Sequence, residues 1–357
     1  MSGSTPLPAL NLGSRIEQMI KTEQQLDDLL SEPSEHDIAT AAELSGDLLI
    51  LGAGGKMGPT LALRARRAMQ QAGVPHRVIA VARFSNKALQ QQLEAEGVET
   101  VAADLLTPGA LEQLPDAPNI IFMAAMKFGT TGAEHLTWAM NVHLPGLVAE
   151  RFRESRIVAF STGNVYPLTM LASGGAIENT PTAPVGEYAQ SALGRERLFA
   201  YGSHRHGTPV ALLRLNYAAE LRYGVLLDIG QKVFERQPVD LRMGMFNVIW
   251  QGDANSICLR SFRHCSVPPQ VINVTGPETL SVRYVANEFG RRFGVEPEFE
   301  GVEGGTALLN NSSRSTTLFG YPSVTPSQMI DWVALWIGMG GATHGKPTHF
   351  EVRDGQF

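Results

Sequence analysis

Short continuous runs of apolar residues alternate along most of this chain with stretches of helical periodicity. Seven runs predict strands: LLIL at 48–51, RVIAVA at 77–82, ETVAA at 99–103, NIIFMA at 119–124, RIVAF at 156–160, VALLRL at 210–215 and VINV at 271–274. Runs that are apolar throughout, rather than at every second position, belong to strands buried on both faces. Helical stretches between most of them complete an α/β pattern, which predicts a parallel sheet covered on both sides and a ligand crevice beyond the carboxyl ends of its strands. The pattern before residue 47 is different. RIEQMIKTEQQLDDLL at 15–30 sets Ile16, Met19, Ile20, Leu26, Leu29 and Leu30 near helical spacing, so an amphipathic helix outside the sheet domain is expected there. The chain contains no internal repeat and no low-complexity tract.

The first strand leads into the loop LGAGGKMGPT, with glycines at 52, 54, 55 and 58. A backbone without Cβ atoms admits a pyrophosphate closely, and the unpaired N–H groups of the helix that follows suit its charge. The spacing is Gly52-x-x-Gly55-x-x-Gly58, because Gly-x-Gly-x-x-Gly would need glycine where Met57 stands. A tight strand-to-helix turn that binds nothing would leave the same pattern.

Composition excludes several classes. The chain has 357 residues, 43% apolar and 18% charged, enough for one large domain or two closely joined ones. A net charge of −6 with no dense basic block argues against nucleic acid as the main partner. Cys258 and Cys265 are the two cysteines and form no Cys-x-x-Cys pair, so a disulfide framework or cysteine-rich zinc site is not expected, and a cytoplasmic location fits. No apolar run reaches the length of a membrane span, and MSGSTPLPALN lacks the order of a signal peptide. No His-Glu-x-x-His and no Gly-x-Ser-x-Gly occurs, and His204-x-His206 in GSHRHG reads as a polar loop, so no metal site is expected.

Six landmarks then fall in order: the glycine loop, Asp104-Leu105 after the third strand, Ala124-Ala125 after the fourth, Asn141 in the next helix, STGNVY at 161–166, and Tyr188 opening YAQSALGRE. In this order they resemble the extended short-chain dehydrogenase/reductases, the NAD-dependent epimerase/dehydratase family, over roughly residues 47–335. The resemblance implies a Rossmann-like doubly wound parallel sheet with a smaller C-terminal substrate domain and an N-terminal helical extension. Its divisions are an extension at 1–45, a cofactor-binding domain at 46–215, substrate-binding segments interleaved with the last strands at 216–340, and a tail at 341–357. Gly52, Gly55 and Gly58, with Lys56 and Met57 of the loop, would hold the pyrophosphate of NAD(P). Asp104 and Leu105 would border the adenine, and Ala124 and Ala125 would line the path to the nicotinamide. Ala82 and Arg83 stand where NAD-preferring relatives place an acidic residue. A guanidinium there suits a 2′-phosphate, which leans the expectation to NADP, although a solvated arginine at a strand end reads equally well.

The family's catalytic set is a Ser or Thr, a Tyr, and a Lys four residues after the Tyr. Thr162 and Tyr188 match, but the Lys position holds Ala192, so this is an atypical member. A tyrosine with an ordinary pKa is a poor base at neutral pH and needs a nearby cation. Arg195, two helical turns after Tyr188, and Lys127, beyond the fourth strand, are the candidates to supply it; an exposed helix arginine is the bland alternative for Arg195. Nucleotide-sugar members carry an arginine where this chain has Phe246, and Trp250 replaces a smaller aromatic or histidine. A smaller hydroxy or keto compound, such as a sugar or sugar acid, is therefore expected, with Lys127, Asn164, Asn216 and Arg222 as substrate contacts and Arg214 and Arg242 as further polar candidates. Oxidation of a secondary alcohol is the first expectation, epimerisation or dehydration the next, and a cofactor-binding sensor that lost catalysis the rival. A homodimer is implied through the helix at 134–153 and the one opening at Tyr188, extended by the apolar face of the helix at 15–30.

Overall fold

The computed structural model describes residues 20–127 and 132–355. Seven parallel strands form its centre: β1 (Leu48–Leu51), β2 (Val78–Ala82), β3 (Glu99–Ala102), β4 (Asn119–Phe122), β5 (Arg156–Thr162), β6 (Val210–Leu215) and β7 (Gln270–Val274). They lie side by side in the order β7-β6-β5-β4-β1-β2-β3, so the chain reverses direction across the sheet between β1 and β4. That reversal opens a crevice at their carboxyl ends, where the glycine loop, the segment after β4 and the end of β5 converge. Each strand coincides with an apolar run of the sequence. β1, β2 and β4 are buried at every residue, as strands covered on both faces must be, while β3 at the edge is partly exposed.

Helices α1 (Glu23–Ser31), α2 (Glu35–Glu43), α3 (Gly58–Gln71) and α4 (Lys87–Ala95) precede the crossover. After it come α5 (Glu134–Trp138), a π-helical turn (Ala139–His143), α6 (Leu144–Arg151) and α7 (Gly186–His206). The carboxyl-terminal part adds α8 (Val225–Phe234), α9 (Gln251–Arg260), α10 (Val282–Phe293), α11 (Ser313–Phe319) and α12 (Pro326–Gly338). Two apolar clusters cover the two faces of the sheet, and a third, built by α8, α10 and α12, forms the core of the carboxyl-terminal part.

The amino-terminal helical extension packs on the carboxyl-terminal part of the chain. Ile20, Leu26 and Leu30 are buried in the same cluster as Leu221, Val225 and Met329, so the apolar face of α1 is covered by its own chain. Ile16 and Met19 lie outside the described residues. Ion pairs fix this arrangement: Arg64 of α3 meets Asp37 of α2 at 2.6 Å with both side chains buried, and Arg67 meets Asp28 at 2.9 Å. GSHRHG is also corrected. It is the last turn of α7 rather than a loop, closed by Gly207 in the left-handed conformation, and His206 contacts Glu150 at 2.9 Å. Histidines in that turn suit the negative end of the helix dipole.

Candidate active site

A cavity of about 830 Å³ occupies the crevice. The glycine loop forms one wall, and its three glycines serve different ends. A Cβ on Gly52 would lie 2.5 Å from the backbone nitrogen of Ala124, and one on Gly58 would lie 2.2 Å from the carbonyl of Ala53, so both are required by the fold. A Cβ on Gly55 would meet within the protein only the carbonyl of Gly52, at 3.7 Å. Gly55 lines the cavity, and there an added side chain would fill the space that a ligand's phosphate would use.

Thr162, the last residue of β5, and Tyr188 line the cavity together, and the Thr162 hydroxyl donates to Asn164 Oδ1 at 3.2 Å. Asn164 donates its backbone N–H to the Thr162 hydroxyl at 3.2 Å, which fixes that oxygen at the cavity edge. Tyr188 sits in the first turn of α7, and burial raises its pKa, opposed by the charge of Arg195.

Arg195 is buried at 3% exposure rather than solvated. Its guanidinium donates to the carbonyl of Phe160 at 2.8 Å and to Asn141 Oδ1 at 3.0 Å, while its Nε has no hydrogen-bond partner. Asn141 lies in the π-helical turn and also bonds the backbone of Met126 through both amide atoms at 2.9 Å. The extra turn residue thus lets one side chain tie α7 to the segment after β4.

That segment brings in Lys127. Its Nζ lies 5.9 Å from the centre of the Tyr188 ring and donates to the carbonyl of Thr348 at 3.5 Å. Burial lowers the Lys127 pKa to about 8, with Asp228 opposing the shift. The position of the family's lysine is closed. Ala192 is fully buried against Val165, Tyr166 and Ala176.

Of the other residues expected to bind, Lys56, Met57 and Ala125 line the cavity on the cofactor side, and Asn164, Asn216 and Arg222 on the substrate side. Gly58 and Ala124 pack behind the wall. Arg222 is already paired with Glu220, Asp27 and Glu23 at 3.1, 2.8 and 3.4 Å. Arg214 is a buried partner of Glu196 at 2.7 Å, and Arg242 pairs with Asp240 away from the cavity lining.

On the adenine side, Arg83, Asp104 and Leu105 are not among the residues that line the cavity. Arg83 is exposed, and the next residue, Phe84, is buried with φ 45°. Asp104 is exposed, and its carboxylate accepts the backbone N–H of Leu106. Leu105 is part of the core beneath the sheet. The wall there is formed by Asn86, Ala88, Leu89 and Gln92, which carry no charge.

The sequence pattern did not reveal the carboxyl-terminal segment as part of the site. His344, Lys346 and Thr348 line the cavity, with Tyr217 and Tyr223 beside them. Thr348 donates its backbone N–H and hydroxyl to Asp228 at 2.8 and 2.5 Å, and Phe350 packs on Phe246 with ring centres 6.4 Å apart. Nothing in THGKPTHFEVRDGQF has the periodicity of an element, and its role comes from anchors distant in sequence.

Residues 48–218 match the family model for the NAD dependent epimerase/dehydratase family. Over these residues the chain is similar to that family. The match runs from β1 through Thr162 and Tyr188 to just past β6. A solved UDP-glucuronic acid 4-epimerase from Bacillus cereus, in complex with UDP-4-deoxy-4-fluoro-glucuronic acid and NAD, is 17% identical with a TM-score of 0.69, covering 82% of this chain and 98% of that one. A dTDP-glucose 4,6-dehydratase from Bacillus anthracis, in complex with NAD, is 17% identical with a TM-score of 0.68, covering 82% and 96%. The structure of Pal from Bacillus thuringiensis is 14% identical with a TM-score of 0.67, covering 82% and 98%. At these identities the likeness is one of fold. No match was found among curated proteins.

Proposed function

We propose that this chain is an NAD-dependent oxidoreductase or epimerase acting on a hydroxyl or keto group of a sugar, sugar acid or similar small metabolite. The observation that carries the reading is the convergence of Thr162 and Tyr188 on the cavity that Gly55 borders, with Lys127 5.9 Å from the Tyr188 ring and Arg195 in the same lining. Gly52, Gly55, Lys56 and Met57 would hold the cofactor's pyrophosphate, and Ala125 would border its nicotinamide. The bound cofactor supplies the hydride acceptor or donor. Tyr188 exchanges a proton with the substrate oxygen, and Thr162 holds that oxygen by a hydrogen bond. Arg195 gives a fixed positive charge near the phenol. Lys127, whose pKa is lowered to about 8, can both carry charge and release a proton near neutral pH.

The cofactor proposed is NAD rather than NADP. A 2′-phosphate would need a cation where the wall carries Asn86, Ala88, Leu89 and Gln92, and the Asn86 side chain already accepts the N–H groups of Ala88 and Leu89. The lean to NADP, which rested on Arg83, is withdrawn with that residue's exposure.

A small substrate is favoured over a nucleotide-sugar. Phe246, at the position where nucleotide-sugar members carry an arginine, is fully buried under Phe350, so no cation reaches a diphosphate from that position. The sensor reading rested on Ala192, and two cations beside Tyr188 weaken it.

We further infer a cytoplasmic homodimer formed through α5, α6 and α7. Among the described residues no helix is long and apolar enough to cross a membrane. The test of the main reading is a screen of sugars, sugar acids and small ketones for NAD reduction or NADH oxidation, followed by Tyr188→Phe. Turnover is expected to fall by roughly 10²–10⁴-fold with NAD affinity unchanged. A protein that binds NAD and turns over nothing in the screen would replace this reading with the sensor.

A further inference from the structure

Three lysines reach the cavity from three separate parts of the chain: Lys56 from the glycine loop, Lys127 from the segment after β4, and Lys346 from the carboxyl-terminal segment. Lys346 is held in place from both sides. The backbone N–H of His344 donates to the carbonyl of Arg222 at 3.0 Å, and Thr348 is bonded twice to Asp228. Lys127 in turn reaches the Thr348 carbonyl, so the two lysines share one anchor.

The acidic groups at this end are shared between the lysines and other partners: Asp228 acts on both Lys56 and Lys127, and Glu220 on Lys56. Glu220 pairs with Arg222 at 3.1 Å and His344 at 3.3 Å, Asp27 pairs with Arg222 at 2.8 Å, and Asp228 accepts both donors of Thr348. Like charges gathered in a concave site cost free energy, and an arriving anion turns that cost into attraction. The lysines respond to this field: burial, then the charges of Lys127 and Lys346, lower the Lys56 pKa to about 7, with Asp228 and Glu220 opposing the shift.

We propose that this end of the cavity is the subsite for an oxyanion group of the substrate, gripped by Lys127 and Lys346, with Lys56 reaching the same cavity from the glycine loop. A phosphate and a carboxylate share the required chemistry, since an ammonium acts on either as a point charge. The inference rests on the function proposed above and narrows it, from sugars and related metabolites in general to phosphorylated or acidic ones.

The test is calorimetric titration of inorganic phosphate, and separately of acetate, into the protein saturated with NAD, at constant ionic strength with chloride as the reference anion. At least one anion is expected to bind saturably at one site, with affinity reduced about tenfold or more in Lys346→Met and in Lys127→Met, as for loss of one charge-assisted contact. Lys87→Met, at an exposed helix start, is expected to change nothing. Stronger phosphate binding assigns a phosphorylated substrate, and stronger acetate binding a carboxylate. Thermal melts show that each variant folds, and Lys346, being exposed on the surface segment, gives a variant independent of packing around Lys127. Absence of saturable binding by both anions, or equal binding in both variants, overturns the inference. A protein that binds an anion through these lysines but turns over no hydroxy or keto compound keeps this inference and loses the earlier reading. One that oxidises neutral sugars and ignores both anions does the reverse.

Discussion

Lys127 Nζ stands 5.9 Å from the centre of the Tyr188 ring, although the family's lysine position, Ala192, is sealed in the core. The ring also lies in the field of Arg195, so a charge lost from one helix position is supplied by two groups from different elements. They are not equivalent. Arg195 stays charged at any physiological pH, whereas Lys127 with a pKa near 8 changes charge within the working range.

Removal of Arg195 is expected to move the pH dependence of turnover. Arg195→Met takes away a cation that lowers the Tyr188 pKa, so that pKa rises further and alcohol oxidation starts at a higher pH. A fall in kcat/KM of roughly tenfold or more at pH 7, recovering in part as pH rises, is the expected profile, since a lost acid/base contribution is typically larger still. Arg195→Lys should restore part of the rate. An unshifted profile would leave Arg195 as a purely structural tie between Phe160 and Asn141.

Lys127→Met should stabilise the protein in the absence of ligand. The folded-state pKa, about 8, lies below the ordinary lysine value of 10.5, so below pH 8 the folded chain carries a half-buried charge at a cost. That cost fades as pH rises from 8 to 10.5, and the variant's advantage should fade with it. After allowance for solvent screening, a gain of about 1 kcal/mol, or about 2 °C in Tm, is expected at pH 7 and none above pH 10.5. A melting temperature lower than that of the unmutated protein at pH 7 would contradict this assignment of the charge.

Ala192→Lys, which rebuilds the family's motif in sequence, should not rebuild it in space. The new side chain would enter a fully buried site against Val165, Tyr166 and Ala176, combining overpacking with an unpaired charge. A loss of about 3 kcal/mol in unfolding free energy, with no gain in turnover, is expected. Higher activity in this variant would show that α7 retains room for the lysine.

How far the sequence could be read follows from which signals are local. The seven strands were legible because burial on both faces leaves continuous apolar runs, and Thr162, Tyr188 and Gly55, singled out by a family resemblance and a glycine spacing, line one cavity. Arg195 was ambiguous from the same pattern. An arginine two turns beyond Tyr188 can face solvent or the core, and a buried acceptor fifty-four positions away in Asn141 decided it. The seam between α1 and the carboxyl-terminal part, and the placement of Lys346 and Thr348, depend on long-range anchors that no local periodicity records.

Gly55→Val separates the cofactor cradle from the fold. Since a Cβ at Gly55 meets no protein atom closer than 3.7 Å, the variant should fold normally and lose NAD binding. Gly58→Val, whose Cβ would fall 2.2 Å from the Ala53 carbonyl, should lose stability as well. Calorimetry with NAD and thermal melts distinguish the two. Retained NAD affinity in Gly55→Val would move the pyrophosphate elsewhere.

The proposed homodimer is tested on the outer face of α5 to α7. Leu136, Trp138 and Leu147 are 47%, 39% and 42% exposed, and Trp138, Val142, Leu147 and Leu198 line one shallow apolar groove. Apolar side chains gathered in this way on a soluble fold mark a surface that is covered in use. A two-fold contact would set α6 and α7 of one protomer against the same helices of its partner, each groove receiving the other's Leu147. The apolar face of α1 is unavailable for this purpose, because Leu26 and Leu30 are buried within the chain. Light scattering at micromolar concentration should give twice the 38.6 kDa chain mass, and Leu147→Glu, which puts a charge at the centre of the contact, should give the chain mass without changing the far-ultraviolet spectrum. If the unmutated protein scatters as a monomer, the groove is not a dimer interface and the assignment fails.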